Sequence, residues 1–214
     1  MKKLHVITVA LALGFAPFAL QADEQSEVDH AARIMKQFEA MPEKGIPRDI
    51  LRHAQGFAIL SILKGGFVVS GKIGEGVVVA RTADGWSGPS FIRTGGAGFG
   101  AQIGGEETQL VLVLNTPEAV KAFSRGGNVQ LGADVSVAAG PVGRTAEGDV
   151  MPKAAVYAYS RSKGLFAGVS LEGTVLVTNK DANERYYGRP VTASAILRHR
   201  VAPPTGASVL RGTL

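Results

Sequence analysis

A long run of strand-forming segments constrains the fold of this chain more than any other feature. Between Phe57 and Val177, segments rich in β-branched or aromatic residues follow one another with short breaks. The segment LVLVL at 110–114 is apolar at every position, which is typical of a strand covered on both faces. The pair Asp84-Gly85 predicts a tight hairpin between two such segments. The region therefore predicts a mostly antiparallel sheet, built as two packed sheets or as one barrel-like sheet.

Helical patterns flank and interrupt the strand region. One of them places Val28, Met35 and Phe38 on a single apolar stripe, with charged residues elsewhere on the helix. Proline or threonine marks the start of two shorter helices. The helices are predicted at 26–40, 47–53 and 117–124, with further helical turns at 179–188 and 192–197. The fold class predicted from these patterns is α+β, with amphipathic helices packed on the sheet.

The first 22 residues have the composition of an export signal. Lys2 and Lys3 precede an apolar run, which ends in small or neutral residues up to Ala22. This run is shorter than the roughly 20 apolar residues that a membrane-spanning helix needs. We therefore expect a signal peptide at 1–22, one domain at 23–200 and a loose tail at 201–214. The protein is expected to be exported, either to the periplasm or out of the cell.

Charge and cysteine content exclude several classes of protein. The formal net charge of +5 falls to +3 when the two lysines of the expected leader are removed, since 5 − 2 = 3. A charge this small does not predict binding to nucleic acid. Because the sequence contains no cysteine, we expect neither disulfide bonds nor a lipid-modified cysteine.

Two glycine patterns resemble nucleotide-binding loops without meeting their requirements. The G-x-G-x-G spacing at 96–100 runs into strand-like sequence, whereas a dinucleotide loop has G-x-G-x-x-G before a helix. The G-x-x-x-x-G-K pattern at 66–72 is followed by Ile73, where a phosphate-binding loop needs serine or threonine for a magnesium ion. We interpret 96–100 as a strand with one bare face, against which a neighbouring element can pack closely.

Motifs for catalysis or metal binding are missing from the sequence. There is no G-x-S-x-G, no H-E-x-x-H and no cysteine nucleophile. His30, His53 and His199 lack the spacing of metal ligands. Asp134 and Glu172 could hold a cation if their strands meet, although solvated strand residues are the simpler interpretation. We therefore expect a protein that is not an enzyme and has no catalytic residue, metal or cofactor.

Several long stretches resemble the SYLF domain family, a family of lipid-binding modules. The resemblance runs from about Ile46 to Leu197 and is carried by these strings in order: ILRHAQGFAILSILKGGFVVSGKIGEGVVVAR, WSGPSFIRTGGAGFGAQIGGEETQLVLVLNT, GADVSVAAGPVGR and YSRSKGLFAGVSLEG. Taken with the leader-like residues 1–22, it leads us to expect an exported bacterial member of the family that consists of this single domain. Eukaryotic members typically join the domain to a Src-homology-3 or FYVE module and bind phosphoinositide membranes and, in fungi, actin.

The resemblance also implies where lipid would be bound. In the family, lipid contact is attributed to an amphipathic N-terminal helix and a basic surface. The matching positions here are the helix at 26–40 and a set of basic residues: Arg33, Lys36, Arg48, Arg52, Lys64 and Lys72. Phe38 would insert beside the headgroups, unless its ring packs on the sheet instead.

Two further cations follow from strand geometry alone. Arg161 and Lys163 are one residue apart, so on a strand they point the same way and suit phosphate oxygens; a solvated turn is the alternative. Together these features predict non-enzymatic, peripheral binding of anionic phospholipid with phosphoinositide-like headgroups, at a membrane surface of the cell envelope. The alternative is a structural or partner-binding envelope protein whose lipid affinity is incidental.

Overall fold

One sheet organises the part of the chain that the structure describes. This structure is a computed structural model, and it describes residues 24–41, 45–66, 69–99, 104–142, 154–162, 171 and 173–214. Within those residues the strands are β1 (Gly56–Gly66), β2 (Val69–Thr82), β3 (Gly85–Trp86), β4 (Ser90–Phe99), β5 (Gly104–Leu114), β6 (Asn128–Gln130), β7 (Val137–Ala139), β8 (Val156–Ser162) and β9 (Val175–Thr178). The expected signal peptide lies outside the described residues.

The sheet is antiparallel almost throughout. Its strand order is β6-β9-β4-β2-β1-β5-β8-β7, and β3 pairs with β2 beside this path. Among the described pairs only β7 and β8 run parallel. The sheet curls as a half-barrel, so the α+β prediction is confirmed in its barrel-like form.

Helices cover both faces of the sheet. They are α1 (Glu24–Glu39), α2 (Arg48–His53), α3 (Pro117–Ser124), α4 (Lys180–Tyr187), α5 (Ala193–Leu197) and α6 (Ser208–Arg211). The face that holds the odd-numbered residues of β1 packs against residues of α1, α2, α4 and α6, and is called the α1 face below. The even-numbered residues of β1 pack with α3 and α5 on the opposite face. Both sides of the central strands are therefore buried, and the five residues 110–114 are completely inaccessible, as their apolar run predicts.

The predicted helix starts are mostly found where capping chemistry places them. The hydroxyl oxygen of Thr116 accepts a hydrogen bond of 3.1 Å from the backbone N–H of Ala119, and Pro117 occupies the first helical turn.

The hairpin between β2 and β3 is confirmed, but Thr82 pairs with Gly85 and the turn is one residue earlier than Asp84-Gly85. Gly85 has φ +102°, which accounts for glycine at this position.

The expectation of a loose tail at 201–214 is wrong. A 3₁₀ turn at Thr205–Ala207 leads into α6, and both Ala207 and Leu210 are fully buried. The Gln25 side chain on α1 donates a hydrogen bond of 3.2 Å to the carbonyl oxygen of Gly206. The C-terminal segment thus completes the packing around α1. The segment is too short and has too few apolar residues for a helical period to be visible in its sequence.

Candidate functional site

The apolar stripe of α1 is buried in the core of the fold. Val28, Ile34, Met35 and Phe38 are each at most 1% exposed and belong to the core on the α1 face. The prediction that Phe38 inserts beside lipid headgroups is therefore corrected, since its ring packs on the sheet. A helix that packs on a sheet and a helix that lies on a membrane both need an apolar stripe. In this structure the stripe of α1 packs on the sheet.

The outward surface of α1 keeps two of the predicted cations in solvent. Arg33 and Lys36 are exposed and three residues apart, so they are neighbours on the helix surface. Gln37, beside them, accepts a hydrogen bond of 2.9 Å from Nη1 of Arg161 on β8. The structure thus places Arg33, Lys36 and Arg161 around the C-terminal half of α1. We call these three residues the helix cluster. Lys163 lies outside the described residues.

A second pair of predicted cations lies at the end of the β1–β2 hairpin. Lys64 and Lys72 are direct cross-strand partners, and both side chains are half-buried. The stem of Lys72 runs along the backbone of β4, because a β-carbon built on Gly96 would lie 3.1 Å from Cε of Lys72. At Gly96 the bare face of the glycine strand therefore accommodates a lysine stem. The surroundings of 97–103 fall outside what the structure describes.

The remaining predicted cations lie far from this hairpin end. Arg48 and Arg52 belong to α2, which ends just before β1 begins, and Lys64 lies near the other end of β1. Strand residues rise by about 3.3 Å each, so the length of β1 separates the two pairs by roughly 30 Å. Arg52 is also within 3.7 Å of a carboxylate oxygen of Asp49. The structure does not bring all the predicted cations into one surface.

A polar band lies between α1 and the sheet, and the sequence analysis did not identify it. The Ser61 hydroxyl donates a hydrogen bond of 3.0 Å to Glu107, whose carboxylate is 3.7 Å from Nε2 of His30 on α1. In the described part of the chain, Oε1 of Glu27 and Oε1 of the buried Gln109 find no hydrogen-bond donor. The sequence indicates this polar band only through a break in the apolar pattern of β1 and β5, at the positions where a polar residue faces α1.

Burial gives Glu27 an unusual acid constant. Removal from water, reinforced by the negative charges of Glu75 and then Glu24, raises the pKa of Glu27 from its ordinary 4.5 to about 8. A carboxyl group whose pKa is raised by folding favours the folded state only while it stays protonated. The free energy of unfolding should therefore fall as the pH rises from 4.5 towards 8, and level off above that.

Replacing Glu27 with glutamine is expected to remove this pH dependence. Each unit of pKa shift corresponds to about 1.4 kcal/mol, so the variant should exceed the wild type by a few kcal/mol at about pH 9 and differ little at pH 4.5 or below. Urea unfolding at both ends of this range measures the difference. Glu39→Gln, an exposed acid on the same helix, is the matched control and should leave the profile unchanged. A wild-type stability that rises over this range would contradict the assignment.

Within the described residues, no group of three or more histidine, cysteine, aspartate or glutamate side chains could hold a metal ion. The side chain of Asp134 accepts a hydrogen bond of 2.7 Å from the backbone N–H of Gln130, so its role in the fold is to hold a turn. Glu172 lies outside the described residues, which leaves the predicted pairing with Asp134 open. The G-x-x-x-x-G-K pattern falls on the β1–β2 hairpin, whereas a phosphate-binding loop joins a strand to a helix.

The described helices include none that is both long and apolar enough to cross a membrane.

Comparison with known proteins gives a consistent set of matches. Residues 95–214 match the family model described as "Ysc84: Las17-binding protein actin regulator". LAS seventeen-binding protein 3 of Saccharomyces cerevisiae is 47% identical over 197 residues, covering 87% of this chain and 43% of the yeast protein. SH3 domain-containing YSC84-like protein 1 is 45% identical in Xenopus laevis, over 87% of this chain and 58% of that protein. The human protein of that name is 46% identical, over 81% of this chain and 53% of its own length. The chain thus spans about half the length of these curated relatives.

Proposed function

The chain belongs to the Ysc84 family, the family of the SYLF resemblance, and from this membership we propose that it binds the surface of anionic phospholipid membranes without catalysing a reaction. The names of these relatives describe binding and SH3-containing proteins rather than enzymes. Lipid binding is what the SYLF resemblance implies. The proposed setting is the cell envelope, on the periplasmic or outer side of a membrane, in keeping with the leader-like residues 1–22.

The observation that carries the proposal is the helix cluster. Arg33 and Lys36 are exposed on a helix whose other side is fixed to the sheet, and Arg161 is held beside them through Gln37. Among the described residues, no ion pair within 4.0 Å involves these three cations. Each cation close to an anionic surface contributes about 1 kcal/mol, and salt screens the attraction over roughly 10 Å at 0.1 M. Three such contacts contribute about 3 kcal/mol together, which supports weak and reversible association.

Reversing two charges of the helix cluster tests the proposal. The double variant Arg33→Glu with Lys36→Glu should lower partition onto anionic vesicles by roughly tenfold or more, because attraction is replaced by repulsion. The change in folding stability should be small, since both side chains are exposed. Partition is measured by sedimentation of the protein with vesicles. The protein used starts at Asp23, because every described element lies between Glu24 and Leu214.

A matched control separates the cluster from net charge. Lys121 is exposed on α3, and Arg125 is exposed directly after the last residue of that helix. Helix α3 packs on the opposite face of the sheet and follows the end of β5 remote from the hairpin. Lys121→Glu with Arg125→Glu changes the net charge by the same amount and should leave most of the binding intact. Equal losses in the two double variants would show that overall charge, not the helix cluster, determines the binding.

A second candidate function rests on the names of the relatives. The yeast protein is named for binding LAS seventeen, and the family description names it as an actin regulator. A protein ligand on the same module is therefore the alternative, with an envelope protein as the partner expected for an exported chain. Failure of the protein to bind any vesicle at low salt would favour this alternative.

A further inference from the structure

The fold leaves two large apolar side chains in solvent at the end of the β1–β2 hairpin. Leu63 is 61% exposed and Ile73 is 67% exposed, and the two are direct cross-strand partners. Both point to the α1 face, where Ile59 and Val77, further from the turn, are completely buried. The apolar pattern of the sheet thus continues beyond the area that α1 covers. We call Leu63 and Ile73 the apolar pair.

The position of α1 explains why the apolar pair is uncovered. Glu27 of α1 lies near Glu75 on β2, His30 contacts Glu107 on β5, and Gln37 contacts Arg161 on β8. The helix therefore crosses the sheet obliquely and moves away from β2 along its length. The apolar pair, on β1 and β2, remains beside the helix and next to the hairpin turn.

We propose that the apolar pair inserts into the interface of an anionic bilayer and forms the hydrophobic part of the membrane-binding surface. This inference rests on the proposed function and locates its contact. Phe38 and the rest of the helix stripe are buried, so the helix cannot supply this insertion. Among the described residues, the other exposed large apolar side chains, Val142 and Val209, lie outside the strands.

Cations on the same face of the sheet as the apolar pair fit an anionic surface. Arg33 and Lys36 of the helix cluster are exposed on α1, which lies on the same face of the sheet. Lys64 and Lys72 are the adjacent residues on the turn side, but they face the opposite side of the sheet, so the cations beside the apolar pair are those of the helix.

Acidic residues on the same face set the depth of insertion. Glu107, the cross-strand partner of Leu63, is engaged with Ser61 and His30. Glu75 is exposed two residues beyond Ile73, so a charged carboxylate follows the apolar pair at about 7 Å along the strand. Insertion would therefore be shallow, within the roughly 5–10 Å at which interfacial segments lie.

Polar substitution of the apolar pair is the first test. Leu63→Ser with Ile73→Ser should keep the salt-sensitive part of the binding and lower partition at high salt by roughly tenfold, since the lost contact is hydrophobic. The vesicles contain phosphatidylcholine and phosphatidylglycerol in equal parts. Val209→Ser, an exposed apolar residue on α6, is the control and should bind like the wild type. Unchanged partition of the double variant at high salt would overturn the inference while leaving the proposed function in place. Absence of wild-type binding would overturn both.

A fluorescent label gives an independent measurement. The 214 residues contain no cysteine, so Ile73→Cys provides a unique site for an environment-sensitive dye. The emission should shift to the blue when the same anionic vesicles are added, and a label at Val209→Cys should shift much less. Equal responses at the two sites, or none at 73 while the protein sediments with vesicles, would show that the hairpin does not insert.

Discussion

Replacing Phe38 with alanine is expected to destabilise the protein by about 3–5 kcal/mol, the usual cost of removing a buried aromatic ring. The ring is 1% exposed and packs in the core that joins α1 to the sheet. For a domain of this size the melting temperature should fall by roughly 10 °C, which calorimetry measures directly. The exposed neighbour Glu39→Ala is the control and should have little effect.

The same variant separates the two roles considered for the helix stripe. If Phe38 contacted lipid, Phe38→Ala would melt like the wild type and lose binding to vesicles. Because the ring is buried, we expect the opposite result, in which the main effect of Phe38→Ala is a lower melting temperature. A variant that is stable but does not bind would contradict the docking of α1 on the sheet.

Replacing Gly76 with alanine is expected to be at least as damaging as ordinary overpacking, which costs about 1–3 kcal/mol. A β-carbon at position 76 would overlap the carbonyl oxygen of Ile59 and would lie 2.7 Å from Cα of Leu60. These are backbone atoms of the neighbouring strand β1, so they cannot move aside as a flexible side chain would. Strands β1 and β2 would have to separate at the centre of the sheet.

A second glycine provides the comparison for Gly76. At Gly95, on β4, the nearest atom to a new β-carbon is the carbonyl oxygen of Lys72 at 3.8 Å, an ordinary contact distance. Gly95→Ala should therefore unfold at a urea concentration close to that of the wild type, whereas Gly76→Ala should unfold much earlier. Similar midpoints for the two variants would show that β1 and β2 do not approach as closely as described.

Local chemistry made much of the fold predictable. Thr116 and Pro117 identify the start of α3 because the cap is formed by adjacent residues. The run at 110–114 identifies a strand buried on both faces because its apolar residues occupy both sides of the pleat. In both cases the sequence contains the interacting groups within a few positions.

Features that depend on distant parts of the chain were not predictable in this way. The stripe containing Phe38 fits a helix on a membrane as well as a helix on a sheet, and only the tertiary structure distinguishes them. Leu210 is buried by its packing around α1, although its own segment has no clear period. In the sequence, Leu63 and Ile73 cannot be distinguished from buried strand residues, and only the path of α1 explains why their side chains are exposed.

Binding of the wild-type protein to vesicles of different charge tests the central proposal most directly. The chain that starts at Asp23 is mixed at low salt with vesicles of phosphatidylcholine alone, and with vesicles in which phosphatidylglycerol replaces half of it. Membrane binding through the helix cluster predicts much stronger sedimentation with the anionic vesicles than with the neutral ones, and a loss of most of this preference as salt is raised through about 0.1 M, where screening acts within roughly 10 Å. Equal sedimentation with both kinds of vesicle, or with neither at low salt, would contradict it.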